Sequence, residues 1–260
     1  MKIHQIIFSP TGGTERVCQY LVDGIALDEE IGTTVDLCSR AEAYEIPNLA
    51  ADDITVIGMP VYAGRIPPPA KERLLKMRGN KSLCVVVGVY GNRAYDDALI
   101  EMGDVAKECG FRVIAGVAAV AEHSIVRAYG EGRPDLLDRA VLREYGEMIA
   151  YKIGSSDFTV PAIPGDRPYR EPSKPGPFPI AGGECTACGK CAEECPMGAI
   201  GDGGKVDELK CISCMRCIAV CPKGARSIGP ALNIISEKLK SPCATRKKNE
   251  IFLTRKTIWE

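Results

Sequence analysis

The stretch ECTACGKCAEECP, residues 184–196, is repeated 26 residues later as KCISCMRCIAVCP, residues 210–222. Both copies follow the spacing C-x2-C-x2-C-x3-C-P. Three thiolates, each separated from the next by two residues, can reach three corners of an iron–sulfur cubane. The backbone amides of the same turn offset its negative charge. The fourth corner needs a thiolate from elsewhere. A doubled run of this kind is the sequence signature of [4Fe-4S] ligation.

The composition of the chain favours metal ligation over disulfide bonding. Thirteen cysteines are an odd number, and eight of them lie inside the two runs. Disulfide scaffolds are typical of small secreted proteins. This chain has 260 residues, and Pro10 interrupts its first apolar run, Ile3–Phe8, before that run reaches the length of a signal sequence or a membrane span. We therefore expect a cytoplasmic protein with no membrane span, and the formal net charge of -1 gives no reason to expect nucleic acid as a partner.

Residues 1–154 are predicted to form an α/β domain around a parallel sheet. Apolar β-rich runs alternate there with amphipathic helical stretches, which is the pattern of βαβ units. The last three runs are almost continuously apolar, as expected for strands covered by helices on both faces. The five predicted strands are Ile3–Phe8, Thr33–Leu37, Ile54–Gly58, Leu83–Val89 and Val113–Ala121.

Four helices are predicted to follow strands of this sheet. Thr14 is the expected N-cap of the first. On the last, the helical periodicity predicts a buried face with Leu137, Val141 and Met148. The other three predicted ranges are Ala70–Met77, Tyr95–Cys109 and Asp135–Ile153.

The rest of the chain divides into a linker, a second domain and a tail. Residues 155–183 contain seven prolines, which disfavour regular secondary structure. This composition allows either a flexible linker or a semi-rigid strap that holds two domains together. The cysteine runs predict a small α+β domain over 184–229, and residues 230–260 form a C-terminal tail to which the pattern assigns no role.

A loop of hydroxyl groups and glycines follows the first predicted strand and leads into a helix. Hydroxyls and amides at a helix N-terminus form a cradle for phosphate. The loop has neither the Gly-Lys-Ser/Thr of a Walker A motif nor the dinucleotide pattern G-x-G-x-x-G. Ordinary turn and cap formation is the alternative reading of such residues. The candidate phosphate ligands are Ser9, Thr11, Gly12, Gly13 and Thr14.

This loop resembles the FMN phosphate loop of flavodoxins, with Gly13 where an Asn is common. Two later loops, after the third and fourth strands, are similar to the flavodoxin loops that enclose the isoalloxazine ring. In a sheet of order 2-1-3-4-5 all three loops meet at the carboxyl edge. The resemblance implies that Tyr62 and Tyr95 are the stacking aromatics, although tyrosines on loops also serve packing. It implies flavin contacts from Pro60, Val61, Tyr62, Ala63, Gly64, Tyr90, Gly91, Asn92, Arg93 and Tyr95.

The cysteine runs resemble those of bacterial two-cluster ferredoxins, in which the fourth cysteine of each run binds the other cluster. The resemblance implies one [4Fe-4S] cluster held by Cys185, Cys188, Cys191 and Cys221, and a second held by Cys211, Cys214, Cys217 and Cys195. Together the two parts resemble the flavodoxin–ferredoxin fusion proteins of anaerobic microbes, and the resemblance covers nearly all of the chain.

Three side chains near the predicted flavin loops have roles that the sequence leaves open. His123 follows the fifth strand, where it could approach the flavin or cap the sheet, and the pattern favours the structural role. Arg65 and Arg93 stand where flavodoxins are acidic. A cation near N1 of the flavin predicts a less negative second reduction potential.

The resemblance implies an electron-transfer protein that passes electrons between two clusters and FMN, with unidentified redox proteins as partners. The alternative is an FMN-dependent reductase of a small oxidant that receives its electrons through the clusters. A regulatory protein with purely structural clusters is the least favoured reading. Nothing in the sequence decides between a monomer and a homodimer.

Overall fold

The computed structural model describes residues 1–26, 29–41, 43–46, 48–172 and 176–254. Pro175 of the predicted linker and residues 255–260 of the predicted tail lie outside the described residues. Within the described ranges, no helix combines the length and the hydrophobicity that crossing a membrane requires.

The chain forms eight strands and seven α-helices within the described residues. The strands are β1 (Lys2–Ile7), β2 (Glu30–Asp36), β3 (Ile54–Pro60), β4 (Leu83–Tyr90), β5 (Arg112–Val120), β6 (Ile180–Ala181), β7 (Arg226–Ser227) and β8 (Glu250–Phe252). The helices are α1 (Gly13–Ile25), α2 (Pro68–Leu74), α3 (Ala98–Glu108), α4 (Leu136–Gly154), α5 (Lys190–Glu193), α6 (Arg216–Ala219) and α7 (Ala231–Lys240).

The first five strands form the parallel sheet that the sequence predicts. They lie in the order β2-β1-β3-β4-β5, and every neighbouring pair is parallel. All eight residues of β4 are buried, because apolar clusters cover both faces of the sheet. This order reverses direction between β1 and β3, which is the flavodoxin-like arrangement. The predicted fold class is confirmed.

A sixth strand extends this sheet and corrects the prediction of five. β8 pairs antiparallel with β5, with Ile251 opposite Val117. The predicted tail, 230–260, therefore supplies α7 and an edge strand of the first domain. A three-residue strand is too short for its pattern to be recognised, and its partner lies far earlier in the chain.

Two local predictions about helices were wrong. The N-cap of α1 is Gly12, in the left-handed conformation at φ 83, and Thr14 is buried in the first turn. Helix α4 buries Leu142 and Ile149, whereas Leu137 is 71% exposed. The orientation of α4 follows from a close crossing with α1, because a Cβ on Gly146 would lie 2.3 Å from the carbonyl oxygen of Leu21. Hydrophobic periodicity does not reveal such a glycine contact.

The proline-rich segment is a strap bound along α3. The Asp97 carboxylate accepts the amides of Asp166 at 2.9 Å and Arg170 at 2.7 Å. Further along, Asp104 accepts hydrogen bonds from the side chains of Arg167 and Tyr169. The composition allows a flexible linker or a semi-rigid strap, and the structure shows the strap.

The second region has short elements and a small core. Helices α5 and α6 occupy corresponding positions in the two cysteine runs, and β6 pairs antiparallel with β7. The region lies against the carboxyl edge of the large sheet. Three arginines make this contact, and each donates to a carbonyl oxygen: Arg73 to Pro196 at 2.5 Å, Arg40 to Glu193 at 3.1 Å and Arg216 to Pro10 at 3.4 Å.

Candidate functional site

The eight cysteines of the two runs line two separate cavities. We call the first set group A: Cys185, Cys188, Cys191 and Cys221 line a cavity of 220 Å³. We call the second set group B: Cys195, Cys211, Cys214 and Cys217 line a smaller void of 20 Å³. Each group contains three cysteines of one run and the last cysteine of the other.

Backbone amides are aimed at the sulfur atoms in both groups. The amides of Ala199 and Ala225 donate to Cys195 Sγ and Cys221 Sγ, each at 3.3 Å. Hydrogen bonds from the backbone of Lys223 and Ala225 lower the pKa of the Cys221 thiol. Such donors stabilise thiolates and the sulfur of a bound cluster. Four sulfur ligands in each group are the donor set of an iron–sulfur cluster.

No group of three His, Cys, Asp or Glu side chains in the described ranges is placed to hold a single metal ion. The five cysteines outside the runs are all buried, as expected for small packing side chains: Cys18, Cys38, Cys84, Cys109 and Cys243. Burial raises the pKa of the Cys18 thiol to about 12, which leaves it protonated.

A third cavity, of 620 Å³, lies at the carboxyl edge of the sheet. Four residues of the predicted flavin loops line it: Val61, Tyr62, Ala63 and Gly91. Ile212 and Ser213, which lie between two cysteines of group B, form another part of the wall. The strap contributes Pro172 and Gly176. The cavity thus borders the sheet, the strap and the second region of the chain.

A tight turn presents Tyr62 and Ala63 to this cavity. The backbones of Tyr62 and Arg65 exchange hydrogen bonds of 2.9 and 3.1 Å across the turn. Ala63 and Gly64 both have positive φ angles, of 52 and 86. Glycine is required at the second position, because a Cβ there would lie 2.4 Å from a carboxylate oxygen of Asp96.

Arg65 lines the cavity as half of an ion pair. Its guanidinium donates to both oxygens of the buried Glu101 carboxylate, at 2.7 and 2.8 Å. Lys71 donates to the same carboxylate at 3.2 Å. Arg93 likewise pairs with Asp96. These carboxylates therefore reduce the effect on the flavin potential that the sequence predicts for Arg65 and Arg93.

His123 caps a turn and also lines the cavity. Its Nδ1 accepts the amides of Ile125 and Val126, each at 3.1 Å. Burial, together with the nearby charge of Arg93, lowers the pKa of His123 to about 4. The ring lies over Gly91, where a Cβ would come within 2.6 Å of it. A neutral ring that accepts at Nδ1 carries its proton on Nε2, which leaves a donor for a ligand.

The predicted phosphate loop, residues 9–14, is not part of the lining of this cavity. Ser9 Oγ accepts the amide of Glu15 at 3.0 Å, which fixes the loop against the start of α1. No atom lies within 4 Å of the place where a Cβ on Gly12 would stand, so the backbone there is open. The first amides of a helix have no partner within the helix. The loop therefore has the features that a phosphate group requires.

Several predicted flavin contacts are placed elsewhere. The Asn92 side chain donates to the carbonyl oxygens of Cys243 and Thr245 and accepts the amide of Lys247, so the returning C-terminal segment uses it fully. Tyr95 packs edge-on against Tyr90, with ring centroids 5.5 Å apart. The cavity lining also lacks four other predicted flavin contacts: Pro60, Gly64, Tyr90 and Arg93.

Sequence reasoning missed Ser213 as a wall residue of the cavity. Its side-chain oxygen is buried and has no hydrogen-bond partner among the described residues. The signal was available, because Ser213 lies inside the C-x2-C spacing of the second run. What the sequence did not give is the packing of that loop against the flavin loops.

Comparison with protein families identifies both cysteine runs. A model described as "4Fe-4S binding domain" matches residues 205–227, and a second model of the same description matches residues 183–198. The first five strands of the same chain have the flavodoxin-like order. The chain is a fusion of a flavodoxin-like region and a ferredoxin-like region. Both kinds of region are typical of electron-transfer proteins.

Several solved structures are similar to the sheet region of the fusion protein. A flavodoxin from the domain Archaea has 16% identity and a TM-score of 0.44, and covers 59% of this chain and 99% of its own. Oxidised Flavodoxin 1 from Bacillus cereus has 18% identity and a TM-score of 0.42, and covers 57% of this chain and 97% of its own. At such scores the fold assignment depends on the strand order of the fusion protein itself. No curated protein matches the chain.

Proposed function

We propose that the fusion protein transfers electrons between two [4Fe-4S] clusters, held by groups A and B, and FMN, held at the carboxyl edge of the sheet. One observation carries this proposal. Ile212 and Ser213, which separate two cysteines of group B, line the same cavity as the flavin loops. Electron transfer between two centres needs short separation and no substrate chemistry, and this arrangement supplies the short separation.

Each cofactor has a set of residues suited to it. The four cysteines of each group supply the thiolates of one cluster, and the amides near them offset its charge. The loop from Ser9 to Thr14 suits the FMN phosphate, and Tyr62 and Gly91 suit the two sides of the ring. When bound, the clusters exchange single electrons and FMN stores one or two.

Residues around the cavity orient the flavin and restrict water. Ser213 Oγ, buried and without a partner, is available to hydrogen-bond a polar edge of the ring. His123 is available as a neutral Nε2 donor from another wall. Pro172 of the strap covers the cavity from a third direction.

Group A is the more accessible of the two cysteine groups, since its Cys188 is exposed while three cysteines of group B are buried. We expect a redox protein to dock over group A. Electrons exchanged there would meet group B next, and group B adjoins the flavin cavity. The arrangement favours a linear order of centres in one polypeptide.

The first experiment is anaerobic purification, with FMN, iron and sulfide quantified per chain. The proposal expects one FMN, about eight iron atoms and about eight sulfides. In stopped-flow experiments with a reduced ferredoxin, the flavin of the wild type should be reduced faster than that of Cys214→Ser. Colourless protein, or protein with zinc and no FMN, would exclude the proposal. Saturable turnover with a small oxidant would instead identify the reductase that the sequence left as the alternative.

A further inference from the structure

The turns that follow the two cysteine runs differ at their last residue, which is buried in both. Gly198-Ala199-Ile200 after the first run corresponds to Gly224-Ala225-Arg226 after the second. Ile200 lies in the small core of the second region, as its apolar side chain requires. Arg226 is only 3% exposed. A cation therefore occupies a position that the internal repeat makes apolar.

Arg226 pairs with no carboxylate among the residues that the structure describes. Its guanidinium donates to the carbonyl oxygens of Gly204 at 2.9 Å and Pro179 at 3.1 Å, and it lies 3.6 Å from Cys191 Sγ. Its Nε is buried and has no partner among the described residues. A buried cation of this kind is unfavourable unless an anion faces it. The second region thus contains a cation that lacks its counter-charge.

Arg226 faces group A. It lines the cavity of that group, together with Cys191 and Cys221. A terminal nitrogen of its guanidinium lies 3.6 Å from Cys191 Sγ, a cysteine of the same group. The buried cation therefore adjoins the site of the group A cluster.

We propose that Arg226 is the counter-charge of the cluster in group A and raises the reduction potential of that cluster. This inference depends on the proposed function, because it requires a cluster in group A. A cubane with four thiolates is an anion, and reduction adds a further negative charge. A buried cation nearby stabilises the reduced form more than the oxidised form. The free Nε–H can donate to cluster sulfur, which acts in the same direction.

The test compares cluster potentials in the holoprotein by EPR-monitored redox titration. Arg226→Gln removes the charge and keeps hydrogen-bonding groups, and Arg226→Ile restores the residue of the first run. Both variants should show a lower potential at the group A cluster. Arg226→Lys keeps the charge, so its potentials should stay close to those of the wild type. Lys205→Gln removes an exposed charge from the same region and should shift the potentials less. The FMN potentials serve as an internal reference.

Two results would overturn the inference: unshifted cluster potentials in Arg226→Gln, or a fall in Arg226→Lys as large as in Arg226→Gln. Iron and sulfide counts separate this failure from failure of the proposed function, which would leave no clusters to titrate. If the variants do not assemble, ENDOR on wild-type protein with ¹⁵N-labelled guanidinium groups decides. Coupling of a guanidinium nitrogen to a reduced cluster supports the inference, and its absence overturns it.

Discussion

Different interactions stabilise the two regions of this chain. The sheet region buries apolar residues on both faces, and strands such as β4 are buried along their whole length. The ferredoxin-like region has four-residue helices, of which α5 buries no residue. Its only core cluster among the described residues includes Cys195 and Cys217, which are cluster ligands in our proposal. Apolar burial accounts for the first region, and the second depends on what its sulfur atoms bind.

Removal of iron tests whether the two regions differ in what stabilises them, and it has the largest expected effect. Chelation under reducing conditions should abolish amide protection throughout residues 180–229, because cluster binding supplies most of the folding energy there. Strands β1, β3, β4 and β5 should keep slow exchange. Hydrogen exchange followed by mass spectrometry measures both regions in one sample.

A matched pair of cysteine variants serves as the control. Cys217→Ser should lower the iron content and release protection in the ferredoxin-like region. Cys84→Ala, in the fully buried strand β4, should keep all of the iron and cost only about 1 kcal/mol of packing. Full protection of residues 180–229 without iron would contradict the proposed dependence on clusters.

The C-terminal segment follows the second region in sequence but packs against the first region. A buried ion pair holds it there: Asp138 accepts Arg133 Nε at 2.8 Å and the Asn249 side-chain amide at 3.0 Å. Asp138→Ala leaves Arg133 buried without its counter-charge. We expect a loss of about 3–5 kcal/mol in the free energy of unfolding and early exchange in β8.

Arg246→Ala is the control for this network. Arg246 also contacts Asp138, at 3.3 Å, but its side chain is 49% exposed. Removal of this exposed partner should cost less than about 1 kcal/mol. Equal losses in Asp138→Ala and Arg246→Ala, by urea unfolding, would show that the buried pair is not what holds the segment.

The sequence predicts the parallel sheet and the two cysteine runs because both have local signals. Strand β4 is continuously apolar, and the runs carry their cysteines at fixed spacing. The division of these cysteines into two groups was implied by the resemblance to two-cluster ferredoxins. What it misses depends on contacts between distant segments. Examples are the pairing of β8 with β5 and the approach of Ser213 to the flavin loops.

The predicted flavin site depends on residues with more alternative roles than the cysteines of the runs have. A cysteine of such a run has few alternative roles, whereas Asn92 and Tyr95 have many. Here Asn92 binds the C-terminal segment, and the Tyr95 hydroxyl donates to Glu250 of β8. The sequence of the loop does not reveal the contacts of Asn92 and Tyr95. Both residues contact the C-terminal segment, to which the sequence pattern assigned no role.

The strap offers a finer test of how the regions are joined. Asp97 is buried, and its carboxylate accepts two strap amides. In Asp97→Asn the side-chain amide must present a donor to one of these amides. We expect a loss of about 2 kcal/mol in stability and faster proteolysis within residues 160–172. Asp96→Asn, which alters only partly exposed ion pairs, should have a smaller effect. Unchanged proteolysis in Asp97→Asn would show that other contacts hold the strap.

The smallest predicted effect is a pH dependence at His123, where the sheet region meets the shared cavity. The pKa of His123 is lowered from 6.5 to about 4, so the unfolded chain binds a proton there before the folded chain does. Its contribution to stability is therefore complete above pH 6.5 and is lost as the pH falls toward 4. Between pH 7 and pH 5.5 the loss amounts to about 1 kcal/mol. His123→Asn keeps an acceptor in place of Nδ1 and does not titrate, so its stability should fall less over this interval in urea unfolding followed by circular dichroism. The same slope in both proteins would mean that His123 is solvated and charged in the fold, and that the cavity wall it forms is open to water.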